Sequence, residues 1–199
     1  MREPLRDTKS SAYAARLERL SGARWRRWLD VQAPYRWNLR RLALGRTLDL
    51  GCGIGRHLAH LPVGSVGIDH NPDAVDAARR RGCEAYLPDE FRASPGAAGR
   101  FDALLAAHVL EHLPEPAARA LLAAHLVFLR PGARVVLITP QEAGFRADPS
   151  HVEFFDLDAL GALLAAVGCE VLRAYSFPLP RALGRLFRHN EFVAVGRLP

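Results

Sequence analysis

The segment T-L-D-L-G-C-G-I-G-R-H-L, residues 47–58, restricts the possible folds of this chain more than any other feature. A short apolar run leads into it, and glycine then occupies every second position at Gly51, Gly53 and Gly55. Because glycine lacks a Cβ and readily adopts positive φ, this alternation predicts a tight turn whose backbone can approach a ligand closely. A strand that enters such a turn is typical of open α/β sheets, which bind ligands at the carboxyl ends of their strands.

The rest of the chain alternates short apolar runs with helical patterns, which predicts a doubly wound α/β fold. Helices between strands require crossover connections and therefore a mostly parallel sheet that is covered on both faces. The predicted strands are 46–51, 64–69, 83–87, 101–110, 133–140, 170–176 and 191–197. The predicted helices are 55–61, 71–82, 114–129 and 156–168, and the turn-rich segment 140–151 is a candidate lid loop.

The positive charge of the chain is concentrated near its beginning. Residues 1–46 contain 12 Lys+Arg and 4 Asp+Glu, which gives +8 and leaves −2 for the rest of a chain whose net charge is +6. Helical spacing of apolar residues, with Pro34 suited to a first helical turn, predicts two or three short helices there. We therefore divide the chain into a basic N-terminal helical cap, residues 1–46, and an α/β domain, residues 47–199.

Composition limits the cellular context. No apolar run reaches the ~20 residues that a membrane span needs, and the first residues are too charged for a signal peptide, so we expect a cytoplasmic protein with no membrane partner. Three cysteines at distant positions suggest neither a disulfide framework nor a zinc site.

A dinucleotide-binding loop is disfavoured at residues 51–56, because the spacing G-x-G-x-x-G would need a glycine where Arg56 stands.

The stretch L-D-L-G-C-G-I-G resembles the first motif of the S-adenosylmethionine-dependent methyltransferases with the seven-stranded Rossmann-like fold, an acidic residue followed by G-x-G-x-G. Asp69 at the end of the second strand, the segment F-D-A-L-L-A-A-H-V-L-E-H-L at 101–113 and the segment L-R-P-G-A-R-V-V-L-I-T-P at 129–140 resemble later motifs of that family, in the same order. The resemblance implies S-adenosylmethionine as cofactor, residues 47–199 as the methyltransferase domain, and the strand order 3-2-1-4-5-7-6 with the last strand antiparallel.

The same resemblance implies which residues bind the cofactor. Asp69 would accept hydrogen bonds from the ribose hydroxyls, and Asp89, with Glu90 as a competitor, would bind the adenine amino group. Tyr35 would cover the methionine end, unless it is only a packing aromatic. The full predicted set is Asp49, Gly51, Cys52, Gly53, Gly55, Asp69, His70, Asp89, His108 and Tyr35.

Three histidines follow strand ends and are candidate general bases for a hydroxyl acceptor: His108, His112 and His151. His151 is preferred because it lies in the candidate lid, whereas His108 could equally line the cofactor. Alternatively, His151 only holds its loop against Asp156 or Glu111. Glu111, His112, His151 and Asp148 could also bind a divalent cation, but this donor set is not specific and no metal is predicted.

The acceptor is the least determined part of the prediction. The strand end I-T-P-Q-E-A-G lacks the N-P-P-Y type of motif found in amino-group methyltransferases, which favours O-methylation of a small molecule in natural-product or sugar/nucleotide metabolism. The basic cap suggests an anionic acceptor. The alternatives are an RNA-binding methyltransferase or a non-catalytic binding module that uses the same basic surface, although no nucleic-acid recognition motif occurs. The oligomeric state is left open.

Overall fold

A computed structural model describes residues 32–94 and 101–199 of the chain. Within these residues seven strands form one mixed sheet in the order β3-β2-β1-β4-β5-β7-β6, with β7 antiparallel to β5 and β6. This confirms the predicted fold class, strand order and antiparallel last strand. The strands are β1 Thr47–Leu50, β2 Val66–Ile68, β3 Ala85–Tyr86, β4 Phe101–Ala107, β5 Leu129–Pro140, β6 Glu170–Phe177 and β7 Glu191–Arg197.

Helices occupy the connections between strands, and their first turns follow from local sequence. In the second described helix the side chain of Asn71 accepts hydrogen bonds from the N–H groups of Asp73 and Ala74, and Pro72 fits the first position. The helices are α1 Ala33–Arg41, α2 Pro72–Arg80, α3 Pro88–Ala93, α4 Glu115–Leu126, α5 Glu142–Arg146, α6 Leu157–Ala166 and α7 Arg181–Gly184. Single 3₁₀ turns span Leu58–His60 and Leu110–His112.

The chain divides into two compact units, of which Met1–Ala97 is the first. There β1, β2 and β3 pair in parallel, with Asp49 of β1 opposite Gly67 of β2. Pro34 lies in the first turn of α1, as predicted. The helices expected before α1 lie outside the described residues, and the domain boundary after residue 46 stays a prediction.

The second unit is Ala98–Pro199, and its centre is the pair of parallel strands β4 and β5. Apart from Asp102, every residue of β4 is buried, as is expected for a strand that is covered on both faces. On the other side of β5, strand β7 runs antiparallel, so that its first residue, Glu191, lies opposite Pro140 at the end of β5. The N-terminal end of β7 is thereby placed at the carboxyl end of its neighbour.

Several connections differ from the predictions: the short helices α3 and α7 are not among the predicted ones, and the strand predicted over 101–110 ends at Ala107. The helix predicted over 55–61 is wrong: a series of turns leads only to the 3₁₀ turn Leu58–His60, and Leu61 is already extended before Pro62. A proline disfavours helical backbone in the residue before it, so the segment is too short for an α-helix. The candidate lid 140–151 is not a plain loop either, because α5 forms within it. Among the helices of the described ranges, none has the length and apolar character needed to cross a membrane.

Candidate active site

The first unit contains the glycine loop, residues 51–55, directly after β1. Gly51, Gly53 and Gly55 have φ of 67°, 52° and 77°, values that L side chains rarely adopt. At Gly55 a Cβ would also lie 3.0 Å from the Sγ of Cys83. The turn therefore needs glycine at this position for both conformation and space, as the sequence pattern predicts.

Asp69 connects the end of β2 with the glycine loop. Its Oδ2 accepts a hydrogen bond from the N–H of Gly53 at 2.8 Å, and its Oδ1 accepts one from the N–H of Asn71 at 2.9 Å. A carboxylate oxygen has two lone pairs, so each oxygen can accept a further hydrogen bond from a ligand hydroxyl. The sequence predicts a helix that starts at Asn71, but it does not predict that the N–H of Asn71 holds the carboxylate of Asp69.

Asp49, the acidic residue of the first motif, is buried in β1 with a side chain that solvent hardly reaches. Its Oδ2 has no hydrogen-bond partner among the described residues. Burial, with a smaller contribution from the negative charge of Asp69, raises the pKa of Asp49 to about 8. The isolated protein therefore holds this carboxyl group largely protonated near neutral pH.

Two further predicted cofactor residues, Cys52 within the loop and His70 after β2, differ in how far their side chains are exposed. The Cys52 side chain is buried and packs in a cluster with Leu58 and Val75, while its backbone N–H donates to the carbonyl of Ile68. The side chain of His70 is 43% exposed, with Nδ1 3.7 Å from Oδ1 of Asp69. Only His70 thus presents a polar side chain to solvent beside Asp69.

The acidic pair after β3 lies in the first turn of α3. The Asp89 side chain is 98% exposed and forms an ion pair with Arg92 at 3.2 Å. Glu90 instead accepts hydrogen bonds from the guanidinium of Arg79 at 2.6 Å and from the N–H of Leu87 at 3.0 Å. Asp89 therefore remains our prediction for adenine recognition. Tyr35 is half-buried on α1, and its cofactor role also remains a prediction.

In the second unit the residues after β4 form a histidine cluster, which we define as His108, Glu111, His112, His151 and Glu191. His108 directly follows β4 and has a φ of 57°. Its Nδ1 lies 3.2 Å from Oε1 of Glu111, and its Nε2 lies 2.9 Å from Oε1 of Glu191. Burial lowers the pKa of His108, but the hydrogen bonds to the two carboxylates outweigh burial and raise it to about 10. An imidazolium between two carboxylates has no lone pair with which to accept a proton.

His112 and His151 lie edge to face, with ring centroids 4.9 Å apart. The Nδ1 of His112 lies 3.2 Å from the carbonyl oxygen of Ser150, and the Nδ1 of His151 lies 2.8 Å from that of Phe145. Because a carbonyl only accepts hydrogen bonds, each Nδ1 carries the hydrogen and each Nε2 keeps its lone pair in the neutral ring. Burial lowers the pKa of His151, which favours the neutral form.

Backbone hydrogen bonds hold the segment of His151 beside the turn of Glu111. The carbonyl of Glu111 accepts hydrogen bonds from the N–H of Val152 at 2.7 Å and of Glu153 at 3.2 Å. The side chain of Asp156 instead caps α6 through the N–H of Ala159. The three predicted histidines are therefore brought together. Sequence reasoning missed Glu191, which no local pattern connects with residues 83 positions away.

Comparison with known proteins identifies the family. Residues 11–174 match the family model described as "Methyltransferase domain". A ubiquinone biosynthesis O-methyltransferase from Xanthomonas oryzae pv. oryzae is 35% identical over 107 residues, covering 49% of this chain and 44% of that relative. The chain thus spans less than half the length of this curated relative.

Solved structures agree with the fold. A SAM-dependent methyltransferase from Archaeoglobus fulgidus matches with a TM-score of 0.67 at 16% identity, covering 93% of this chain and 99% of its own. A magnesium protoporphyrin IX methyltransferase from Synechocystis with bound SAH matches with a TM-score of 0.69 at 15% identity, covering 98% of both chains. The chain belongs to the methyltransferase domain family, and the solved structures show that it has the Rossmann-like fold of S-adenosylmethionine-dependent methyltransferases. The predicted family and cofactor are confirmed.

Proposed function

We propose that the protein transfers a methyl group from S-adenosylmethionine to a hydroxyl oxygen of a small-molecule acceptor. The observation that carries the proposal is the carboxylate of Asp69, which is fixed by the N–H groups of Gly53 and Asn71 and keeps lone pairs for two ribose hydroxyls. The oxygen acceptor is supported by the name of the curated relatives, which are O-methyltransferases.

The cofactor would bind along the glycine loop. Charge-assisted hydrogen bonds from the ribose to Asp69 would contribute on the order of 1.5–3 kcal/mol. The backbone of Gly51 to Gly55, without side chains in its way, would lie against the methionine part, with Asp49, Cys52, His70, Asp89 and Tyr35 around the cofactor as predicted.

Methyl transfer from a sulfonium is an in-line displacement, so alignment of the acceptor oxygen with the methyl carbon is the main requirement. The oxygen forms its bond to the methyl carbon as the sulfur–carbon bond breaks, which leaves S-adenosylhomocysteine. The acceptor's proton must also leave. His112 and His151 are the candidate proton acceptors because each keeps an Nε2 lone pair, whereas the two carboxylates beside His108 favour its protonated form.

The first experiment is calorimetric titration of the full chain with S-adenosylmethionine and S-adenosylhomocysteine, with NAD as the control ligand. We expect saturable binding of both sulfur ligands and none of NAD. Asp69→Ala should weaken binding by about tenfold to a hundredfold, because it removes charge-assisted hydrogen bonds. The matched control is Asp76→Ala, which removes an exposed carboxylate on α2 and should bind like the wild type.

Phenols, phosphosugars and nucleosides would then be screened as acceptors by release of S-adenosylhomocysteine. Turnover of a hydroxyl compound supports the proposal, and preference for a phosphorylated one supports an anionic acceptor from sugar or nucleotide metabolism. Methylation of RNA would favour the alternative of an RNA-binding methyltransferase. Equal cofactor binding by Asp69→Ala and the wild type would refute the assignment of Asp69.

A further inference from the structure

Three side chains of types that can bind metal ions meet in the second unit, although they belong to two separate segments of the chain. Glu111 and His112 lie on the 3₁₀ turn after β4, and His151 lies in the segment before α6. One ligand atom from each lies within 4.8 Å of the others. Two atoms that bind one ion at about 2.0–2.2 Å lie at most about 4.4 Å apart, so small side-chain adjustments would bring all three ligand atoms onto a single ion.

Both imidazole rings are oriented as metal-bound histidines are. A histidine that binds a metal through one ring nitrogen commonly donates the N–H of the other to a backbone carbonyl or a carboxylate, which fixes the tautomer and the ring orientation. His112 and His151 donate from Nδ1 to the carbonyls of Ser150 and Phe145. The lone pair of each ring is therefore on Nε2, and the Nε2 of His151 lies 4.0 Å from Oε1 of Glu111.

Glu111 gives a second and independent observation. The residue is only 1% exposed, and its Oε2 has no hydrogen-bond partner in the part of the chain that the structure describes. Its other oxygen, Oε1, is held by Nδ1 of His108. A buried carboxylate oxygen without a partner is costly, and coordination of a cation would satisfy it.

The charges around Glu111 favour a cation as well. Two acidic side chains, Glu111 and Glu191, lie at this place, with carboxylate oxygens 3.2 Å and 2.9 Å from the ring nitrogens of His108. Acidic side chains attract a cation, and the attraction is stronger where they are buried, as Glu111 is. Asp148, which the sequence suggests as a fourth ligand, instead accepts hydrogen bonds from the N–H and Oγ of Ser150.

We propose that Glu111, His112 and His151 form a binding site for a divalent transition-metal ion of the Zn²⁺, Fe²⁺ or Mn²⁺ type. Two imidazole nitrogens and one carboxylate suit these ions, whereas Mg²⁺ and Ca²⁺ prefer sites made of oxygen atoms. Three protein ligands leave at least one position open, as in catalytic rather than structural metal sites.

The role of the ion, though not its binding, rests on the proposed function. An acceptor hydroxyl at the open position would bind the ion through its oxygen and become more acidic, so that its proton passes to solvent. His112 and His151 would then hold the ion instead of accepting the proton. His108 would act as a positioning residue that orients Glu111.

The test is direct titration of the chelator-treated full chain with Zn²⁺ by calorimetry and with Co²⁺ by visible absorption. The wild type should bind one ion per chain with a saturable Co²⁺ absorption band, and Mg²⁺ should not compete. Glu111→Gln, His112→Gln and His151→Gln should each weaken binding by about tenfold or more. The matched control is His189→Gln, the same change at an exposed histidine of this unit, which should bind like the wild type.

Thermal unfolding of the wild type with and without Zn²⁺ gives a test that needs no variant, because an ion that binds the folded state raises the melting temperature. The site is refuted if no saturable binding of Zn²⁺ or Co²⁺ occurs, if the three ligand variants bind as well as the control, or if Zn²⁺ fails to raise the melting temperature. Titration with S-adenosylhomocysteine in the absence of metal separates this result from the proposed function. Cofactor binding without metal binding refutes only the metal site, and the converse refutes only the cofactor site.

Discussion

Asp49 shows how burial changes the chemistry of a single residue. The resemblance to the family's first motif predicts a role for the acidic residue at this position, but the sequence does not give its protonation state. In the structure the carboxyl group is buried beside Asp69, and its pKa is raised from 3.8 to about 8. The cause is mainly the loss of hydration, which penalises the charged form.

Stability should depend on pH through Asp49. The folded protein keeps the proton up to about pH 8, whereas the unfolded chain releases it near pH 3.8, so the free energy of unfolding should fall as pH rises between these values. Asp49→Asn, which cannot titrate, should be more stable than the wild type at the upper end of this range, on the order of a few kcal/mol. Urea unfolding at about pH 5 and about pH 8 measures the difference.

Asp76→Asn makes the same change at an exposed position of α2 and should leave the pH dependence of the wild type intact. If the wild type and Asp49→Asn lose stability equally between the two pH values, the raised pKa of Asp49 is wrong. Addition of S-adenosylhomocysteine would show separately whether the proton on Asp49 is linked to cofactor binding.

Among the elements, β2 and the start of the glycine loop pack closely. A Cβ on Gly67 would lie 2.6 Å from the Sγ of Cys52 and 2.7 Å from a methyl carbon of Leu58. The alternation of glycines predicts the loop, but nothing in the sequence marks Gly67 as its packing partner. The parallel pairing of β1 with β2 creates that contact.

Gly67→Ala should therefore destabilise the protein by about 1–3 kcal/mol through overpacking. Gly161→Ala on α6 is the matched control, because no atom lies within 4 Å of its added methyl group, and alanine should stabilise the helix by roughly 0.5–1 kcal/mol. Both are measured by urea unfolding. Combining Gly67→Ala with Cys52→Ala removes the contact with Sγ but not the one with Leu58, so it should recover part of the loss, and an additive result would contradict a clash with Sγ.

At the scale of the whole molecule, the sequence separates a segment of charge +8 from a remainder of charge −2. Arg40 and Arg41 of this segment lie exposed on α1, and the guanidinium of Arg41 lies 5.3 Å from the ring of Trp37. The prediction of an anionic acceptor also rests on Arg24, Arg26 and Arg27, which lie before residue 32 and outside the described residues. An anionic acceptor would be attracted by such a segment, and salt would weaken the attraction.

Neutralising this segment should raise KM for phosphorylated acceptors and reduce its dependence on salt, with little change for neutral acceptors. The variant replaces five arginines by glutamine: Arg24, Arg26, Arg27, Arg40 and Arg41. A control variant of equal net charge replaces five exposed arginines elsewhere: Arg119, Arg130, Arg173, Arg185 and Arg188. Equal effects of the two variants would show that only net charge matters. No effect of either would remove the argument for an anionic acceptor.

The role of Asp69 as a ribose ligand came from the resemblance to a family and stays a prediction. The sequence by itself determined the glycine loop and most of the strands and helices. These features follow from local rules, because φ preferences, apolar periodicity and helix starts depend on residues close together in the chain. Local rules also explain the error over 55–61, because Gly55 at the start of the segment and Pro62 directly after it outweigh a helical pattern of apolar residues. Strand order came from the resemblance to a family, since periodicity gives strands but not their neighbours.

Only the tertiary structure decided the protonation states and the partners of the histidines. Glu191 reaches His108 because β7 runs antiparallel and begins where β5 ends. His151 reaches Glu111 because backbone hydrogen bonds hold two segments about forty residues apart in sequence. Electrostatic interactions depend on distance and burial in space, and these are set by strand pairing rather than by sequence separation.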